Sequence, residues 1–138
     1  MMRFFFVWDG AQQILSNPAY QSSKFLKVFL EIEPLPRMFA GSYFIWEGFA
    51  VCGLFLAGAF LIVNPGLKGG WLKKGFSFGL LHWLLMVPWF EFYLPYNVMH
   101  EPLPLVLFEA LLWMATNLAT ALILSFTLNF GEVTKSQA

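Results

Sequence analysis

Apolar residues in this chain gather into three long runs, each interrupted by a single charge. Ala40 to Val63 holds only Glu47, Gly75 to Tyr93 only Glu91, and Pro104 to Phe130 only Glu109. As helices rising about 1.5 Å per residue, all three can cross a hydrocarbon core of roughly 30 Å. The pattern predicts transmembrane helices at about 39–63, 75–95 and 104–130. Asn64-Pro65-Gly66 closes the first run and Pro95 the second. Pro88 predicts a kink in the second. Pro104 suits the first turn of the third, where a missing N–H costs nothing.

The N-terminal 38 residues follow a different pattern. Over 20–33, Tyr20, Phe25, Leu26, Phe29, Leu30 and Ile32 recur at helical spacing against Lys24, Lys27, Glu31 and Glu33. That stretch is too charged and too short to span, so an amphipathic helix in the membrane interface is expected. Ser16-Asn17-Pro18 predicts a turn before it, and Glu33-Pro34-Leu35-Pro36 an end after it. The run Phe4 to Trp8 is broken by Asp9, Gly10, Gln12 and Gln13 too early for a signal-peptide core, so retention in the mature protein is expected. The predicted fold is therefore an all-α integral membrane protein. An N-terminal segment (1–38) carries the interfacial helix, 39–130 forms three spans in a compact helical bundle, and 131–138 is a polar tail.

Composition agrees with this picture. Hydrophobic residues make up 59% and charged residues 12%, against roughly 25% charged in soluble domains. Trp8, Trp46, Trp71, Trp89, Tyr93 and Tyr96 lie near the ends of runs, as an interfacial aromatic belt requires. Trp83 and Trp113 lie deeper and are expected to pack between helices. Net charge is zero with no basic patch, which argues against nucleic acid. The lone Cys52 rules out an internal disulfide and a multi-cysteine metal site, and is read as a small packing residue. Arg3, Lys24, Lys27 and Arg37 balance Lys68, Lys73, Lys74 and Lys135 across the expected bilayer. The density of lysines in 65–74 places that loop in the cytoplasm and the N-terminus outside.

With three crossings, the start of the first span, the end of the second and the start of the third share a side. Seven of the eight acidic residues then fall there. Glu47, Glu91 and Glu109 are expected to gather near Arg37, Asn97, His100 and Glu101 as a polar cluster, with Glu47 pointing inward. An intramembrane carboxylate suggests function by default, because it must face the bundle or water. The plainer reading is that Glu91 and Glu109, close to helix ends, are solvated.

Several features favour packing over chemistry. Glu109, Trp113, Thr116 and Thr120 share one face of the third span with Asn117 beside them, and bonding between helices is the favoured role. Gly75 with Gly79, Gly48 with Cys52, and Gly53 with Ala57 are small-residue pairs suited to close helix approach. His82 is expected to be a buried, hydrogen-bonded imidazole, with metal or heme ligation as the rival. Neither a nucleophile elbow nor a phosphate-binding loop is present. The lysines of 65–74 are read as lipid-headgroup contacts.

No catalytic residue, metal set or cofactor is assigned by these patterns. The leading expectation is a non-catalytic membrane subunit, or assembly partner, in contact with lipids and other transmembrane helices. One alternative is a small oligomeric transporter or proton-coupled channel using Glu47 and Glu109. Another is a heme, metal or quinone-binding protein built on His82, His100 and the carboxyls.

Overall fold

The computed structural model describes residues 9–35, 37 and 43–129. Among them every element is helical: α1 (Asp9–Leu15), α2 (Ser23–Leu30), α3 (Tyr43–Val63), α4 (Trp71–Glu91) and α5 (Leu103–Leu128). A 3-10 turn, Asn64–Gly66, follows α3, and a π-helical turn, Phe92–Val98, follows α4. Two helices, Trp46–Gly66 and Leu103–Leu128, are long and apolar enough to cross a membrane. The start of the first predicted span, the polar tail and the extreme N-terminus lie outside the described residues.

Capping makes α2 shorter than its apolar pattern predicts. Asn17 folds the preceding chain: its side-chain oxygen accepts from the Ala19 N–H at 2.9 Å, and its carbonyl from those of Tyr20 and Gln21. Tyr20 and Gln21 are thereby spent in the turn. Ser22 caps α2, its hydroxyl accepting from the Phe25 N–H at 2.9 Å. Phe25 is buried and its ring lies 4.6 Å from that of Phe29, while Leu30 remains exposed.

The α4 helix starts at Trp71, ahead of the predicted Gly75, and takes in Lys73 and Lys74. Lysine is a good helix former, and the extended Gly70 supplies the N-cap position. Pro95 does not end the helix as predicted. It lacks an N–H and its ring crowds the carbonyl of the preceding turn, so the ladder widens instead of stopping. The Met99 N–H bonds the Leu94 carbonyl and that of Glu101 bonds the Pro95 carbonyl, both at 2.9 Å. His100, at φ 57°, then reverses the chain into α5.

α4 and α5 form a close antiparallel hairpin. A Cβ added at Gly75 would stand 3.0 Å from the Leu122 Cα. At Gly79 it would stand 3.0 Å from the Ala121 Cβ and 3.1 Å from the Asn117 carbonyl oxygen. Only glycine leaves room for backbones this near. The Trp83 indole N–H donates to the Ala110 carbonyl at 2.8 Å, tying the pair at mid-length. At the 64–71 end, Ser125 Oγ donates to the Trp71 carbonyl at 2.7 Å, and Asn64 Nδ2 donates to Asn129 Oδ1 at 3.3 Å.

α3 departs from the compact bundle expected. Phe60 is its one buried side chain among the described residues, meeting the Phe78 ring edge-on at 5.2 Å, with Val63 and Leu67 packed nearby. Trp46 is 69% exposed and Ile62 82%. The helix is apolar on all sides, so nothing in its pattern selects one face for the hairpin.

Candidate functional site

Three carboxyl groups are buried where α4 turns into α5. Glu91 ends α4, Glu101 sits in the connection, and Glu109 lies two turns into α5; they are 0%, 2% and 6% exposed. Charge interactions link Glu101 to both other carboxyls, and Glu91 neighbours Glu109 and the Trp113 indole. Those neighbours approach without completing a hydrogen bond to either Glu91 oxygen, and Glu101 Oε2 is also buried and unbonded. From Gly75 to Thr134 there is no lysine or arginine at all. The site thus concentrates acid on a hairpin that carries no lysine or arginine, with His100 beside Glu101.

The π-helical turn is what assembles it. By carrying the chain on to Val98 before His100 reverses it, the turn folds Glu101 back against the ends of both helices. The N-terminal segment then closes the side. Gln21 Nε2 donates to Glu101 Oε1 at 2.7 Å and to the Leu15 carbonyl at 3.0 Å. Ser22 Oγ donates to the Met99 carbonyl at 2.6 Å. Burial holds the Glu101 carboxyl above its usual range, opposed in part by the bond from Gln21.

Beside Glu101 opens a cavity of about 290 Å3, lined by Tyr96, Asn97, His100 and Glu101. The Asn97 amide donates to the Phe92 carbonyl at 2.7 Å, which leaves its side-chain oxygen free to accept. Exposed Trp89 and Tyr93 stack at 5.3 Å at this end of the hairpin.

Of the residues expected to cluster, Glu91 and Glu109 come together, His100 stands exposed at the mouth, and Glu47 and Arg37 are elsewhere. Glu47 is exposed on α3, which corrects the inward placement expected for it. It lies thirteen residues from Phe60, about 220° around the helix, so the face that meets the hairpin points away from it. The Arg37 guanidinium lies 6.0 Å from the centre of the Phe44 ring. Nothing lies within 4 Å of a Cβ placed on Gly48, unlike Gly75 and Gly79.

His82 stacks with Phe78 at 6.4 Å and lines a crevice with Asn117 that has no room for a water. Asn117 is buried with its amide nitrogen unbonded, and Thr116 bonds back to the Leu112 carbonyl at 3.0 Å. Among the described residues no three His, Cys, Asp or Glu side chains are placed to hold a metal ion. Sequence reasoning put Glu101 at the mouth without making it a site residue, and passed over Gln21. A polar residue next to a helix cap was the only signal Gln21 offered. Compared with protein-family models, curated proteins and solved structures, the chain matches none.

Proposed function

We propose that the chain is a non-catalytic subunit of a membrane complex, crossing the bilayer three times through α3, α4 and α5, with α2 in the interface. Assembly runs through α3. The observation that carries this reading is the contrast between the two sets of glycines. Those of α4 are filled by α5, whereas Gly48, Gly53 and Gly58 on α3 have nothing within 4 Å. Lipid can cover leucine as well as protein can, but small residues gain most from a second helix that approaches closely. Lysine density in 65–74 places that loop in the cytoplasm, and the Gln21–Glu101 end outside.

The unique Cys52 is exposed on this helix and makes the reading testable. Oxidative or bifunctional thiol crosslinking in native membranes should trap Cys52 against a partner helix, and Gly53→Leu should abolish the adduct. A chain that stays monomeric in mild detergent and forms no Cys52 adduct in the membrane would remove the reading. A second reading, a small transporter, draws support from the buried carboxyls; it rests on Glu91 and Glu109 and no longer on Glu47.

A further inference from the structure

We propose that the end of the bundle formed by residues 64–74 is a docking surface for an anionic phospholipid, with Lys68 and Lys73 on its phosphate and Leu72 and Phe76 along its upper acyl chain. Charge is the first support. Lys68 and Lys73 are exposed. The stem of Lys73 lies across Gly69, where an added Cβ would stand 2.9 Å from the Lys73 Cδ. The two lysines therefore share one surface. No aspartate or glutamate occurs in 48–90 or in 110–131 apart from the limits of those runs, Glu47, Glu91, Glu109 and Glu132, which lie outside them. The segments that meet here, 60–78 and 121–129, thus bring no acid of their own. The buried carboxyls lie at the opposite end of the hairpin.

The second support is order. The Asn64 carbonyl accepts from the Leu67 N–H at 3.1 Å, Leu67 packs against the Phe60–Phe78 pair, and the Trp71 carbonyl accepts from Ser125 Oγ at 2.7 Å. The lysines are thus displayed from a connection pinned at both ends, which lowers the entropy lost on binding. Its outer face is open, since a Cβ on Gly66 or Gly70 would meet nothing within 4 Å. The third is the apolar surface beside them, which selects a lipid over an acidic protein. Leu72 and Phe76, 59% and 52% exposed, lie one turn apart on the side of α4 that carries Lys73. A lysine there lays its methylenes on apolar surface and lifts its ammonium to headgroup level. Three lysines, with the half-buried Lys74 included, suit a headgroup bearing one phosphate. Polyphosphorylated headgroups are met by clusters of about four to eight basic residues. The proposal rests on the reading of α3 and α4 as membrane spans.

The test places the full chain in nanodiscs of equal phosphatidylglycerol and phosphatidylcholine and counts the retained lipids by native mass spectrometry. Phosphatidylglycerol should be enriched about tenfold or more over its bulk share. Lys68→Gln and Lys73→Gln should each lower the enrichment about fivefold, the factor one basic residue contributes near an anionic surface. The double variant should fall close to the bulk ratio, and Lys73→Arg should stay with the parent. Lys24→Gln, on α2 at the other end, should keep the parent ratio. A chain that never enters the nanodisc would defeat the membrane reading and this proposal with it. One that enters but retains the two lipids equally would defeat the proposal alone. So would enrichment that Lys68→Gln and Lys73→Gln leave unchanged, or that Lys24→Gln lowers as much, the mark of a response to overall charge. Lysine-dependent binding of soluble polyglutamate without lipid enrichment would reassign the surface to an acidic protein segment, and again overturn it.

Discussion

Gln21 and Glu101, eighty residues apart in sequence, are joined by a 2.7 Å hydrogen bond that fastens the N-terminal segment across the mouth of the α4–α5 hairpin. The donor is held in place by a second bond to the Leu15 carbonyl, and the neighbouring Ser22 bonds the Met99 carbonyl. The connection and the N-terminal helices thus behave as one unit. Gln21→Met removes the donor while keeping its length, leaving both Glu101 oxygens buried and unbonded. A loss of about 1–3 kcal/mol is expected, seen as faster hydrogen exchange in both 22–30 and 99–102. Protection unchanged at both places would show that the bond holds nothing together.

Ser22→Ala should cost about 1–2 kcal/mol, because one hydroxyl both caps α2 and anchors it to Met99. Ser22→Asp restores the cap but cannot donate to a carbonyl. Circular dichroism should therefore show α2 retained in the aspartate variant, while proteolysis at 31–35 accelerates in both variants.

Stability should fall as pH rises through the range in which Glu101 ionises in the folded protein. Its carboxyl holds its proton more tightly when folded, because burial disfavours the charged form. Its stabilising contribution is fully present below the unfolded value of about 4.5 and is lost as pH climbs through the higher folded value. Glu101→Gln cannot ionise, so the difference between parent and variant melting temperatures should shift in the variant's favour with increasing pH. A difference independent of pH would contradict the burial argument.

Gly79→Leu and Gly53→Leu should separate folding from assembly. At Gly79 even a Cβ meets Ala121, Leu118 and Asn117 at 3.0–3.1 Å, and overpacking there should cost about 1–3 kcal/mol or more. At Gly53 the space is open, so the isolated chain should melt as the parent does while its association fails. Equal thermal stability of both variants would refute the close approach of α4 and α5.

Ser125→Ala should loosen the opposite end. The hydroxyl is fully buried, donates to the Trp71 carbonyl and lies 3.4 Å from Asn129 Nδ2. Its loss removes the side-chain bond to that carbonyl at the start of α4, at a cost of about 1 kcal/mol. Quenching of Trp71 fluorescence should increase, whereas exchange at 99–102 should not change.

The all-helical class, the two helices apolar enough to span and the Asn17 turn were legible in the residues themselves. Each depends on neighbours a few positions away: apolar period, cap chemistry and proline placement act locally. Pro95 shows where such reasoning breaks. Local rules end the helix there, yet the chain can widen into a π-helical turn because its carbonyls find donors further along, at Met99 and Glu101. That choice carries Glu101 back to Glu91 and Glu109, and lets Gln21 reach it. Glu47 went the other way. An evenly apolar helix holds no information about which side meets its neighbours, and only the contact through Phe60 turned its carboxyl outward. The sequence by itself determined which segments are helical and which groups are charged. The tertiary structure decided which charges meet, because that depends on hairpin register and helix rotation, set by contacts between residues far apart in the chain.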